Sequence, residues 1–118
     1  MNDSGKNRSS LDAQQSEHRN SRRIKVKVPV ELHLPDNDMP LRGATADLSE
    51  SGCYVESIFP FPIGTILEMT LEIGDTILAL GTVVTCDPQV GNGIKFIKML
   101  PEDQEGLRGY IEAAEQAE

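Results

Sequence analysis

The sequence predicts an all-β domain, a small closed barrel of six strands capped by an α-helix at its C-terminal end. Three observations predict it. Residues 24–34 alternate apolar and polar without a miss, the period-two pattern of a strand with one buried face. Short runs of the same kind recur as far as residue 98, separated by Gly, Pro and Asp. Only after Pro101 does the apolar spacing become helical. The 118 residues suit one domain. A core of about 90 residues is large enough to fold without disulfides.

The elements follow in order. In the first strand Ile24, Val26, Val28, Val30, Leu32 and Leu34 share one face, while Lys25, Lys27, Pro29, Glu31 and His33 share the other. Pro29 has no amide hydrogen, which predicts an edge position or a bulge there. Pro35–Pro40 is a turn, and Leu41–Leu48 reads as a second strand. Gly52 opens a third, Cys53–Ile58, ended by Pro60 and Pro62. Leu67, Met69, Leu71 and Ile73 alternate with Glu68, Thr70 and Glu72 in a fourth. Gly74-Asp75 predicts a tight hairpin into a fifth strand, residues 76–86, apolar enough to predict burial on both faces for part of its length. Val90–Lys98 forms a sixth, where Gly91-Asn92-Gly93 permits a bulge or a close backbone approach. Pro101-Glu102-Asp103 suits the first turn of a helix, because proline is pre-set for helical φ and the acids face the positive end of the dipole. Leu107, Tyr110, Ile111 and Ala114 then form an amphipathic stripe.

The domain is therefore residues 22–113, with 114–118 as the helix end. Ahead of it, residues 1–21 are polar and charged, with Leu11 the one large apolar side chain after Met1. Such a stretch cannot offset its ordering entropy by burial, and it reads as a disordered tail. No apolar run approaches the roughly 20 residues that span a bilayer, and the N-terminus has no secretory pattern, so the expected compartment is the cytoplasm and no membrane insertion is expected. Cys53 and Cys86 lie in no CxxC or Cys/His cluster and are expected as small buried hydrophobes.

The net charge of −8 hides an asymmetry. Residues 1–28 carry seven basic and three acidic side chains, a net +4, whereas the other 90 carry four basic and sixteen acidic, a net −12. An acidic body with five aromatics is a poor surface for DNA or RNA, which demand phosphate neutralisation and stacking over a broad area. A local basic cluster can still hold a small anion. Catalysis finds no support: His18 lies in the tail, His33 stands alone on a polar strand face, and no GxxxxGK loop or metal-ligand spacing occurs. An enzyme is not expected, nor a cofactor.

Two clusters remain. Arg22-Arg23-Ile24-Lys25-Val26-Lys27 lies where the tail meets the first strand, and Asp47-Leu48-Ser49-Glu50-Ser51-Gly52 joins strands two and three. Each has a plain reading: a basic strand end that stays soluble, and a polar turn in which Gly52 adopts positive φ. Together they suit a small guanine nucleotide. Arginine forks donate in pairs to phosphate oxygens or to guanine O6 and N7, and a carboxylate accepts from guanine N1 and N2. A serine hydroxyl can donate to phosphate.

On these residues the sequence resembles the PilZ domain family, over about residues 22–112. Its ligand motif is RxxxR before the first barrel strand, followed by (D/N)xSxxG between strands two and three. The second part is complete here as Asp47, Ser49 and Gly52. Lys27-Val28-Pro29-Val30, the Gly64–Ile73 strand, Gly93-Ile94-Lys95-Phe96 and Leu107–Ile111 are also similar to the family. The resemblance implies an antiparallel six-stranded barrel that binds cyclic di-GMP and acts on a protein partner that the sequence does not identify. Arg22, Arg23 and Lys27 would close over the ligand, Asp47 would contact guanine, Ser49 phosphate or nearby polar atoms, and Gly52 would shape the turn. The first part departs from the motif: in register with the strand it reads Arg23 to Lys27, RxxxK, and lysine keeps the charge but not the planar fork. A literal RxxxR at Arg19–Arg23 is four residues out of register, although Arg19 could compensate. Relatives without the full first motif imply a second possibility, a protein-interaction adaptor that binds the nucleotide weakly or not at all.

Overall fold

Alternation in a chain this short must close on itself to hide its apolar face, and the computed structural model, which describes residues 22–117, does so as a closed barrel. Its strands are β1 (Pro29–His33), β2 (Leu41–Leu48), β3 (Gly52–Glu56), β4 (Ile66–Glu72), β5 (Thr76–Asp87) and β6 (Gly91–Lys98), followed by the helix α1 (Pro101–Ala117). The order around the wall is β1-β2-β3-β6-β5-β4, and every neighbouring pair is antiparallel. The expected tail, residues 1–21, and Arg19 within it lie outside the described residues.

One face of each strand fills the interior. Val30, Leu32, Leu48, Val55, Leu67, Met69, Leu71, Ile77, Val83 and Ile94 are buried there. Leu107 and Ile111 of α1 add to the same core, with Tyr110 and Ala114 packed half-buried beside them, so the helical stripe is the lid on the barrel. At about 25 cal/mol per Å² of apolar surface, burying side chains of this size contributes roughly 1.5–3 kcal/mol each.

Four expectations are corrected. The first strand does not run from Ile24. Regular pairing begins at Pro29, with an isolated bridge from Ile24 to Leu48 upstream. The alternation survives regardless, with Ile24 and Val28 buried and Val26 half-buried, because Thr45 replaces the ladder. Its hydroxyl donates to the Val26 carbonyl at 2.6 Å and accepts the Val28 amide at 2.9 Å. Pro29 is at no edge, since the barrel has none; it opens β1, where a missing donor is tolerated. β5 is buried on one face alone: Leu78 is 55% exposed and Val84 47%, because a barrel wall has only one interior side. Of the cysteines, Cys53 is buried but Cys86 is half-buried.

The expected β4–β5 hairpin is present, turning through Ile73–Asp75 with Gly74 at φ 104°. Of the two possibilities at the glycine pair of β6, close approach is the one observed, since a Cβ on Gly91 or Gly93 would collide with the neighbouring strands; the bulge lies across from it on β5, between Val83 and Thr85.

Candidate functional site

The bridge at Ile24 places the basic cluster. Its amide donates to the Leu48 carbonyl at 2.9 Å, and the Leu48 amide returns the bond at 3.0 Å. Ile24 and Leu48 both point inward, so their neighbours along each strand point out. Arg23 and Asp47 therefore meet on the outer wall: Arg23 Nη1 lies 2.8 Å from Asp47 Oδ1. Lys25 and Lys27 share the outward parity of Arg23 and are exposed, and neither forms an ion pair with another described residue. Arg22 turns the other way, with its Nη1 3.3 Å from Glu115 Oε2 on α1. The two sequence clusters, 24 residues apart at their joining pair, are thus one surface, linked on one side to the helix.

Ser49 is fully buried, and its hydroxyl serves its own loop rather than the outside. Its Oγ accepts from the Ser51 and Gly52 amides, each at 3.2 Å, while the Ser49 amide donates to the Gly52 carbonyl at 2.8 Å. Gly52 does not have the positive φ that a simple polar turn implies. Glycine is needed there because a Cβ would lie 2.2 Å from the Ile94 carbonyl oxygen, as β3 closes against β6. Ser49 and Gly52 therefore set the shape of the loop that presents Asp47. A cleft of about 330 Å³ opens between this loop and α1, lined by Glu50, Ser51, Phe96, Lys98, Gln104 and Arg108. Arg108 Nε reaches Glu50 Oε1 across it at 3.3 Å. Neither Arg23 nor Asp47 lines this cleft; their pair lies on the open wall.

The outer wall continues beyond Asp47. Directly opposite it on β3 is Tyr54, whose hydroxyl donates to Asp87 Oδ2 at 2.7 Å. This bond pushes the Tyr54 phenol up to about 12, with partial burial and the carboxylates of Asp87 and Asp47 acting in the same direction. Burial pushes the Cys53 thiol up to about 12, and the nearby Asp47 charge adds to the shift. No grouping of three or more His, Cys, Asp or Glu with metal-binding geometry occurs among the described residues.

Sequence reasoning missed Tyr54, Asp87, Arg108 and Glu115. Tyr54 was within reach of a parity argument, since it faces outward on the strand that follows the loop. The helix residues carried no local signal, because their partners lie 58 residues and more away in the chain.

A model of the PilZ domain matches residues 17–113. The chain belongs to the PilZ domain family. Solved PilZ structures are similar to it in fold. The Bacillus subtilis inhibitor of motility MotI/DgrA aligns with a TM-score of 0.70 at 15% identity, over 83% of this chain and 51% of that one. The PilZ domain of CeSA from a cellulose-synthesizing bacterium aligns with a TM-score of 0.66 at 18% identity, over 80% of this chain and 99% of that one. PlzA of Borreliella burgdorferi, solved in complex with c-di-GMP, aligns with a TM-score of 0.59 at 19% identity, over 86% of this chain and 45% of that one. The chain thus spans about half the length of MotI and PlzA and nearly all of the CeSA domain. No curated protein matches it. The Ile24–Leu48 bridge brings the RxxxK and DxSxxG segments side by side.

Proposed function

We propose that this PilZ domain is a receptor for cyclic di-GMP whose basic segment, residues 22–27, closes over the ligand and alters a surface read by a protein partner. The observation that carries the reading is the Arg23–Asp47 pair, which brings the two halves of the family's ligand motif to one point on the wall. The neighbour PlzA, solved with c-di-GMP, supports the choice of ligand.

The pair is a contact that a ligand can replace. Arg23 is half exposed, and an ion pair of that kind contributes about 1 kcal/mol or less. A cyclic dinucleotide offers both partners better alternatives. Its phosphates and guanine O6/N7 edges accept from the arginine fork, and guanine N1 and N2 donate to Asp47. Lys25 and Lys27 add charge without a fork, so binding through RxxxK is weaker than through RxxxR by about ten- to a hundredfold. Release of Arg22 from Glu115 would carry the event to α1, which supports a partner-facing output. No catalytic step is assigned. The acidic body disfavours nucleic acid as the partner, and the domain is placed in the cytoplasm as part of the same proposal.

Lys27 itself favours a second reading, a PilZ adaptor that meets its protein partner without the nucleotide. Calorimetric titration of cyclic di-GMP separates the two. Low-micromolar binding that tightens in Lys27→Arg and disappears in Arg23→Ala and Asp47→Ala, with the fold intact, supports the receptor. Silence in the natural chain with binding restored by Lys27→Arg identifies a site that has lost its ligand and supports the adaptor. Silence in both ends the receptor reading.

A further inference from the structure

We propose that Tyr54 is the plate on which a guanine base of the ligand stacks, a specificity-determining contact set beside Asp47. This rests on the receptor reading above.

Three observations carry it. Tyr54 is directly opposite Asp47 across the β2–β3 pair, and both face outward, so their Cβ atoms are about 5 Å apart. The ring is also held across the wall. From β3 it passes over β6 to reach Asp87 on β5, where the hydroxyl donates at 2.7 Å. Finally, β6 offers no side chain beneath it. Gly93 is its direct cross-strand partner, and a Cβ on Gly91 would lie 2.7 Å from the ring's Cε1. The ring therefore lies close over Gly91 with no β6 side chain between them, and the half-buried side chain remains partly open to solvent.

The chemistry follows from the placement. A base laid on the ring turns its edge toward the neighbouring carboxylate. Tyr54 takes the π face, and Asp47 accepts from N1 and N2. Every base has a π face, but only guanine presents both donors on that edge, so the pair together selects guanine over adenine. The bond to Asp87 keeps the phenol protonated and the ring from turning, which lowers the cost of ordering it on binding.

The test uses the natural chain, Tyr54→Phe and Tyr54→Leu, each titrated calorimetrically with cyclic di-GMP. The phenylalanine variant is expected within about threefold of the natural chain, because the π face remains. The leucine variant, apolar but without a ring, is expected to bind about tenfold more weakly or worse. A second readout needs no loss of the ring. The chain has two tyrosines and no tryptophan, so in Tyr110→Phe the fluorescence reports Tyr54 alone, and stacking quenches it. This titration decides the matter should the leucine variant not fold: quenching supports the plate, and unchanged emission on saturation overturns it. Equal affinity of the leucine variant and the natural chain overturns the stacking role and leaves the receptor reading intact. No heat from the natural chain removes the receptor reading and the plate with it.

Discussion

Cys53 and Asp47 lie on adjoining strands, and the chemistry of the motif reaches the core through them. The thiol sits in the apolar interior beside the loop, and its ionisation is pushed up to about 12 from an ordinary value of 9.0. A raised value in the folded state stabilises the protein fully below pH 9, and that contribution is lost as pH rises toward 12. Tyr54 behaves alike from its ordinary 10.0 to about 12. Thermal melts should therefore fall progressively above pH 9. In Cys53→Val the part of the decline that begins near pH 9 should vanish, leaving the part that begins near pH 10. An unchanged profile in that variant would mean that the thiol is not held in the apolar interior. At this scale the sequence marks the residues of the DxSxxG loop but not the bonds they make within it. A serine that offers its hydroxyl to a ligand and one that binds its own loop look the same as letters. The difference lies in where the Ser51 and Gly52 amides point.

The elements were more legible than their bonds. β2 was read with its observed bounds, and the β4–β5 hairpin at its observed turn. The approach to β1 was read as strand because side-chain alternation reports which face is buried, not which ladder is formed. There Thr45 does the work of a neighbouring strand, and its effect can be measured. Thr45→Val keeps the shape but strands the Val28 amide and the Val26 carbonyl, which should cost about 1–3 kcal/mol in urea unfolding. Amide exchange at residues 24–28 should accelerate more than in β5. Uniform acceleration over the whole barrel would show instead that the basic segment and the barrel open as one unit. The same limit on pattern reading explains β5, whose apolar run is a core face alternating with an exposed one.

At the scale of the molecule, two ion pairs tie the basic segment and the β2–β3 loop to α1: Arg22 to Glu115 and Glu50 to Arg108. Each is partly exposed and worth about 1 kcal/mol or less, so they bias the position of the basic segment without locking it. Glu115→Gln removes the competitor for Arg22. Cyclic di-GMP should then bind more tightly, by about fivefold at most, in calorimetry at low salt, with the gain shrinking as salt screens the pair. Weaker binding in this variant would mean that the helix positions Arg22 for the ligand rather than holding it back.

Taken alone, the sequence determined the barrel and its helical lid, because period-two and helical spacings can each bury their apolar face in only one kind of element. It determined the charge contrast between basic N-terminal segment and acidic body, and the residues of the DxSxxG loop. Tertiary structure alone decided that Arg23 meets Asp47, that Ser49 and Gly52 hold the loop, and that Tyr54 lies over Gly91 toward Asp87. Those facts depend on which strands close the barrel and in what register. Local periodicity carries no record of cross-strand partners, since it repeats identically whichever strand lies alongside.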